Sequence, residues 1–180
     1  MFADAELARL YDRFHPPEHR YDFAFYLPTI MSARSVLDVG CGTGALLGAA
    51  SDAGHTGRLC GLDPAVGMLE QARRRPRIDW VRGDLSSVSW EDQFDLVVMT
   101  GHAFQVLVTD AELRAALAAI HRSLTRDGRF AFETRNPLAR EWEDWTPDRI
   151  TGVTSDEGAV VLMRHAVETP VEAEIVRFTT

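Results

Sequence analysis

Cysteine is scarce: Cys41 and Cys60 are the only two in 180 residues. Neither their number nor their spacing makes a disulfide framework or a metal site. Both have small or apolar neighbours in the sequence and read as packing residues. A basic excess is lacking as well. Against 27 acidic residues stand 19 Lys and Arg, a net charge of −8, which disfavours nucleic acid and other large anionic partners. Arg73, Arg74, Arg75 and Arg77 are the local exception; they fall at a predicted helix end, where cations complement the dipole, with phosphate recognition as the other reading. No apolar run approaches membrane-spanning length, and the acidic opening Met1-Phe2-Ala3-Asp4-Ala5-Glu6 has no signal-peptide core. A cytoplasmic protein without a membrane partner is therefore expected. Internal repeats and low-complexity segments are also missing. What remains is an ordinary globular composition, 46% hydrophobic and 26% charged, long enough for one substantial core.

The chain is organised around Val36-Leu37-Asp38-Val39-Gly40-Cys41-Gly42-Thr43-Gly44. Ser35 to Val39 reads as a short buried strand, and Ala45 onward as a helix. Alternate glycines between them allow a tight turn and let a ligand lie against bare backbone. A strand, a glycine turn and a helix make the first unit of a doubly wound, mainly parallel sheet that binds a nucleotide at the strand's carboxyl end. The spacing is G-x-G-x-G, not the G-x-G-x-x-G of a dinucleotide site. Asp38, near the strand's end, would repel a pyrophosphate but suits a cationic ligand. An NAD-dependent oxidoreductase is disfavoured on both counts.

From Val36 to Gly44 the sequence closely resembles the class I S-adenosylmethionine-dependent methyltransferases, whose first motif has the form D-x-G-x-G-x-G. The resemblance implies a Rossmann-like fold, S-adenosylmethionine as cofactor with S-adenosylhomocysteine as product, and Asp38, Gly40, Cys41, Gly42 and Gly44 at the cofactor. It covers about residues 10–135, and the general shape is similar to small-molecule methyltransferases of the ubiquinone/menaquinone-biosynthesis type.

Residues 1–34 are helical in pattern, broken at His15-Pro16-Pro17 and rich in rings. In the resembling family such a segment closes over the cofactor, which puts Tyr11 or Tyr21 near its carboxylate or near the acceptor; packing on the sheet edge is the alternative. A second strand, Leu59 to Leu62, ends at Asp63, about nineteen residues past the glycines, where such folds place a carboxylate on the ribose hydroxyls. A plain helix cap is compatible with that role. Pro64 is expected at the first position of the next helix, with Ala65, Met68, Leu69 and Ala72 on one face. Met68 is core, or by resemblance borders the adenine. Ile78 to Arg82 is the third strand; by resemblance Asp84 and the Leu85 amide then meet the adenine, with an ordinary turn as the other reading.

Phe94 to Thr100 is the fourth strand and delivers Thr100-Gly101-His102-Ala103-Phe104 to the ligand edge. Thr109 and Glu112 form a capping box for a helix whose face is Leu113, Leu117, Ile120 and Leu124. Asp127-Gly128 turns into a fifth strand, Arg129 to Glu133. Five strands alternating with four helices imply a parallel sheet covered on both sides. Beyond it, Ala159 to Val167 and Val171 to Thr180 read as extended runs about a turn at Glu168-Thr169-Pro170, a candidate antiparallel flap. The family's final helix and strand pair are then expected to be missing, leaving the fold incomplete. The division expected is 1–34 helical segment, 35–136 cofactor-binding core and 137–180 acceptor-side or flap segment.

Methyl transfer asks an enzyme to align the acceptor, exclude water and remove any proton on the nucleophile. His102 is the best candidate base, by position and by its near-neutral reference pKa; shaping the loop is its other reading. Glu133 and Arg135 are candidates to orient a polar acceptor, and Trp142 and Trp145 either wall an acceptor pocket or form a satellite cluster. The loop after the fourth strand lacks the Asn/Asp-Pro-Pro-aromatic motif with which family members methylate nucleobase or glutamine nitrogens. Together with the acidic charge, this favours a small-molecule acceptor. A catalytically silent S-adenosylmethionine-binding module is the second reading.

Overall fold

The structure, a computed structural model, describes residues 5–171 and 175–180. The chain divides into two compact units, one ending at Thr134 and one running from Arg135. In the first, helix α1 (Ala5–Phe14) and helix α2 (Phe23–Ser32) flank a 3-10 turn at Pro17–His19, because Pro16 and Pro17 cannot continue the helix. Five parallel strands follow: β1 (Ser35–Val39), β2 (Arg58–Asp63), β3 (Asp79–Arg82), β4 (Phe94–Met99) and β5 (Leu124–Phe132). Their order is β3-β2-β1-β4-β5, so the winding reverses between β1 and β4. That switch point leaves a crevice at the strands' carboxyl ends.

Side-chain alternation along each strand builds a core on either face. Val36, Leu96 and Val98 pack with Phe23, Tyr26 and Ile30 of α2 and with Leu46 and Leu47. Leu37, Val39, Val97 and Met99 pack on the other face with Phe94 and Ile120. Each such fully buried aliphatic stabilises the fold by roughly 1.5–3 kcal/mol. The crossover helices are α3 (Ala45–Asp52), α4 (Val66–Ala72) and α5 (Asp110–Ser123). The capping box expected at Thr109 is present, with Thr109 Oγ1 accepting from the Glu112 amide at 3.2 Å and Glu112 Oε2 accepting from the Thr109 amide at 2.8 Å.

Four local expectations are corrected. Among the described residues no helix links β3 to β4, so three crossover helices serve the five strands; Asp84 instead gathers Ser86 and Ser87 into a turn. Pro64 is not the first residue of α4, which starts at Val66, because Asp63 Oδ1 accepts from the Ala65 amide and turns the chain first. Helix α5 buries Ala116, Ala119, Ile120 and Ser123, leaving Leu117 exposed. Its small residues let the helix lie close to the sheet, which a leucine stripe would prevent. Asp127-Gly128 is not a turn before β5 but part of a bulge within it, where the ladder passes from Phe94–Leu124 to Leu96–Arg129.

The second unit contains two antiparallel pairs: β6 (Thr151–Thr154) with β7 (Val160–Met163), and β8 (Ala166–Val167) with β9 (Phe178–Thr179). The expected single hairpin of the two extended runs is thus replaced. The first run breaks at Arg164-His165 and its first half pairs backward, across a Ser155–Gly158 turn in which the Gly158 amide reaches the Ser155 carbonyl. The part of the second run at residues 172–174 lies outside the described residues.

Candidate functional site

The loop after β1 is pinned to β2. The amides of Gly40 and Cys41 both donate to the Leu62 carbonyl, at 2.8 and 3.2 Å. The Gly42 amide donates to Asp63 Oδ2 at 2.8 Å, while Oδ1 holds Ala65 at 2.8 Å. Asp63 therefore ties together the loops after β1 and β2. Gly40, Gly42 and Gly44 all have positive φ, at 75°, 56° and 73°. At Gly40 a side chain is barred twice, since a Cβ would lie 2.6 Å from the Ala103 Cβ. At Gly42 a Cβ would meet nothing within 4 Å, so this backbone faces open space.

Beside the loop lies a cleft lined by Tyr11, His15, Arg20, Asp38, Thr100 and Gly101, among others. Asp38 is 1% exposed, and its Oδ1 has no hydrogen-bond partner among the described residues. Burial pushes its carboxyl up to about 7; Arg20 opposes this, and the Asp63 and Asp22 charges add to it. Arg20 is clamped by Asp22, with Nε–Oδ1 2.9 Å and Nη2–Oδ2 2.7 Å, and lies 4.8 Å over the Phe23 ring. Burial pulls the guanidinium's pKa down, but the hydrogen bonds and charge of Asp22 outweigh it and leave it raised. Tyr11 is raised by burial, against Arg20. A cation, a phenol and a buried acid with one oxygen unpartnered among the described residues thus line one cleft.

Other expected site residues fall into three groups. Thr100, 7% exposed, lines the cleft with Gly101, and Gly44 precedes α3 at its N-cap, where a Cβ would lie 2.2 Å from the Trp80 ring. Cys41 also lines the cleft; burial raises its thiol pKa well above the ordinary value, as a packing residue's would be. Met68 is buried and Leu85 packs against the core beneath the sheet. Asp84 is exposed and lowered in pKa by hydrogen bonds from Ser86 and Ser87. Pro64 is exposed, and Tyr21 is 83% exposed and outside the cleft lining. His102 stands on the loop after β4 in left-handed conformation (φ 72°), next to Gly101, whose amide donates to Glu133 Oε1 at 2.7 Å. Glu133 thus holds that loop.

Arg20, His15 and Thr43 enter the site without having been expected there. The legible signal for Arg20 is a lone cation, two residues ahead of Asp22 and just past the double proline, in an acidic chain. Within the second unit, Trp145 packs against Phe178 with centroids 4.9 Å apart, and Arg135 lies over the Trp145 ring at 4.6 Å while pairing with Glu141.

A parallel sheet of this order, with a glycine loop beside its switch point, defines a Rossmann-like fold of the nucleotide-binding kind. The chain belongs to the methyltransferase-domain family, whose profile matches residues 36–128, more than half of it. It is 30% identical over 117 residues to malonyl-[acyl-carrier protein] O-methyltransferase of Anoxybacillus flavithermus, covering 63% of this chain and 45% of that protein. The chain spans about half the length of the curated relatives it matches. Among solved structures, Streptomyces venezuelae DesVI superposes with a TM-score of 0.69 at 26% identity, covering 96% of this chain and 73% of that one. SAM-bound CalS10, an amino pentose methyltransferase from Micromonospora echinaspora, gives 0.67 at 27% identity, covering 96% and 72%.

Proposed function

We propose that the protein is an S-adenosylmethionine-dependent methyltransferase acting on a small-molecule acceptor. The observation that carries this reading is Asp38: a fully buried carboxylate oxygen without a partner among the described residues, lining a cleft beside a bare glycine backbone. Such an oxygen is costly unless a ligand satisfies it, and a ligand ammonium would do so. When bound, S-adenosylmethionine supplies a methyl group made electrophilic by its sulfonium.

The chain's own residues then bind, orient and deprotonate. Asp38 receives the ammonium, and Arg20, held by Asp22, offers its remaining N–H groups to the carboxylate with Tyr11 beside it. Gly42 lets the ligand approach the backbone. Asp63, whose oxygens each accept one amide, retains lone pairs for the ribose hydroxyls, and Asp84 with the Leu85 amide serves the adenine. His102 takes the proton of an acceptor that carries one, and Glu133 keeps its loop in place. The acidic net charge and the absence of the Asn/Asp-Pro-Pro-aromatic motif favour a small molecule over nucleic acid as acceptor. The amino pentose specificity of CalS10 adds amines to the acceptors worth testing first.

The test is calorimetric titration with S-adenosylmethionine and S-adenosylhomocysteine, followed by a methyl-transfer screen of small amines and alcohols. Saturable binding of both with turnover of one acceptor is the expected outcome. Binding without turnover of any acceptor would leave a silent cofactor-binding module; no binding by the folded chain would refute the reading.

A further inference from the structure

Arg75 departs from the rest of its basic cluster. Arg73, Arg74 and Arg77 are exposed, whereas Arg75 is half-buried and turns back toward the glycine loop. Its Nη1 donates to the Thr43 carbonyl at 2.7 Å, and its Nη2 lies 3.8 Å from Asp12 Oδ2. The Thr43 hydroxyl donates to the other Asp12 oxygen at 2.6 Å. Three elements meet in this triangle: α1 through Asp12, the cofactor loop through Thr43 and the turn after α4 through Arg75.

Two further features are shaped around it. Gly48 sits inside α3, where glycine is unfavourable for helix formation. A Cβ there would lie 2.4 Å from Arg75 Nε and 2.5 Å from its Cδ, so the absent side chain is what lets the guanidinium pass. Trp80 then fixes the root of the arginine, its indole Nε1 donating to the Arg75 carbonyl at 3.2 Å. Asp12 follows Tyr11 on α1, and Tyr11 and His15, one turn apart with ring centroids 4.6 Å from each other, line the cleft.

We propose that Arg75 is a positioning residue for the cofactor cleft: through Asp12 and Thr43 it latches α1 onto the glycine loop and so holds Tyr11 and His15 over the bound ligand. This rests on the cofactor reading above. It assigns to Arg75 a role that a helix-end cation does not need. The Thr43 hydroxyl links Asp12 to the loop directly, and Arg75 bears on both of these partners, so weakening any one link loosens the same helix.

The experiment measures S-adenosylhomocysteine release by stopped flow and α1 amide hydrogen exchange without ligand, in Arg75→Gln, Asp12→Asn, their double variant and Gly48→Ala. Arg75→Gln and Asp12→Asn should each speed release about tenfold, the effect of losing one charge-assisted hydrogen bond, and should each speed exchange in α1. The double variant should be no faster than the faster single. Gly48→Ala, which leaves every latch side chain in place but obstructs Arg75, should act in the same direction, and Arg73→Gln should change nothing. Additive single effects, or unaltered α1 exchange in Arg75→Gln, would overturn the proposal. If the wild-type chain binds no S-adenosylhomocysteine, it is the cofactor reading that fails, and α1 exchange alone still decides the latch.

Discussion

The backbone amide of Gly42 donates to Oδ2 of Asp63 at 2.8 Å, joining the loop after β1 to the end of β2. The acid expected to meet a ribose is therefore also the brace of the glycine loop. Asp63→Ala leaves the amides of Gly42 and Ala65 without their acceptor. With a charge-assisted bond worth roughly 1.5–3 kcal/mol, S-adenosylhomocysteine affinity should fall about 10- to 100-fold. The melting temperature should drop by a few degrees, since the lost bonds also stabilise the free protein. Titration calorimetry and a thermal melt of the same preparation check both, and an unchanged affinity would separate Asp63 from the site.

Gly40 and Gly42 should respond differently to alanine. At Gly40 the new Cβ would sit 2.6 Å from the Ala103 Cβ, and backbone must move on one side or the other. That change should destabilise the fold by a few kcal/mol. At Gly42 the direction is open and only the left-handed φ of 56° is penalised, by about 1 kcal/mol. Gly42→Ala should therefore stay folded and lose cofactor affinity. Denaturation curves paired with titrations distinguish the two, and equal losses of stability would contradict the geometry.

The motif Asp38 to Gly44 made the sheet type legible because its residues are local and each has a backbone reason. Strands β1 and β2, the proline break before α2 and the Thr109 cap are legible for the same cause: neighbours in sequence decide them. The α5 face was missed because a leucine stripe predicts burial from hydrophobicity alone, whereas the sheet accepts Ala116 and Ala119 at close range and leaves Leu117 outside. Arg20 and Arg75 were missed as partners of the cleft and its loop because their roles rest on contacts across the fold, such as Arg75 with Asp12. The Ser155–Gly158 turn carried its glycine signal, but the longer apolar run after it drew the pairing to the wrong side.

His102 tests the catalytic half of the proposal. It stands exposed on a loop held by Glu133, outside the cleft lining of Asp38 and Arg20. His102→Ala should leave S-adenosylhomocysteine affinity within about twofold and lower turnover of a proton-bearing acceptor by roughly 10²–10⁴-fold, as loss of a general base does. His102→Gly, which suits the left-handed φ of 72°, should be as inactive as the alanine variant. Recovery of activity by glycine would assign His102 to loop shape instead.

Asp38 ties stability and binding to pH. Its carboxyl, pushed up to about 7 by burial, keeps a proton in the folded protein that the unfolded chain gives up near the ordinary carboxylate pKa. The folded state then binds more protons than the unfolded one between about pH 4 and 7, so this residue's contribution to stability falls as pH rises through that window. Above it, ionised Asp38 costs the fold about 4 kcal/mol. Asp38→Asn should gain stability over wild type at pH 8 and lose that gain by pH 4. A cofactor ammonium favours the ionised acid, so S-adenosylmethionine binding at pH 6 should release a proton and tighten as pH rises toward 8. Thermal melts across pH test the first half, and calorimetry in two buffers of different ionisation enthalpy counts the proton. A stability difference that is flat with pH would place the titration elsewhere. No proton released at pH 6 would mean that the ammonium does not sit at Asp38.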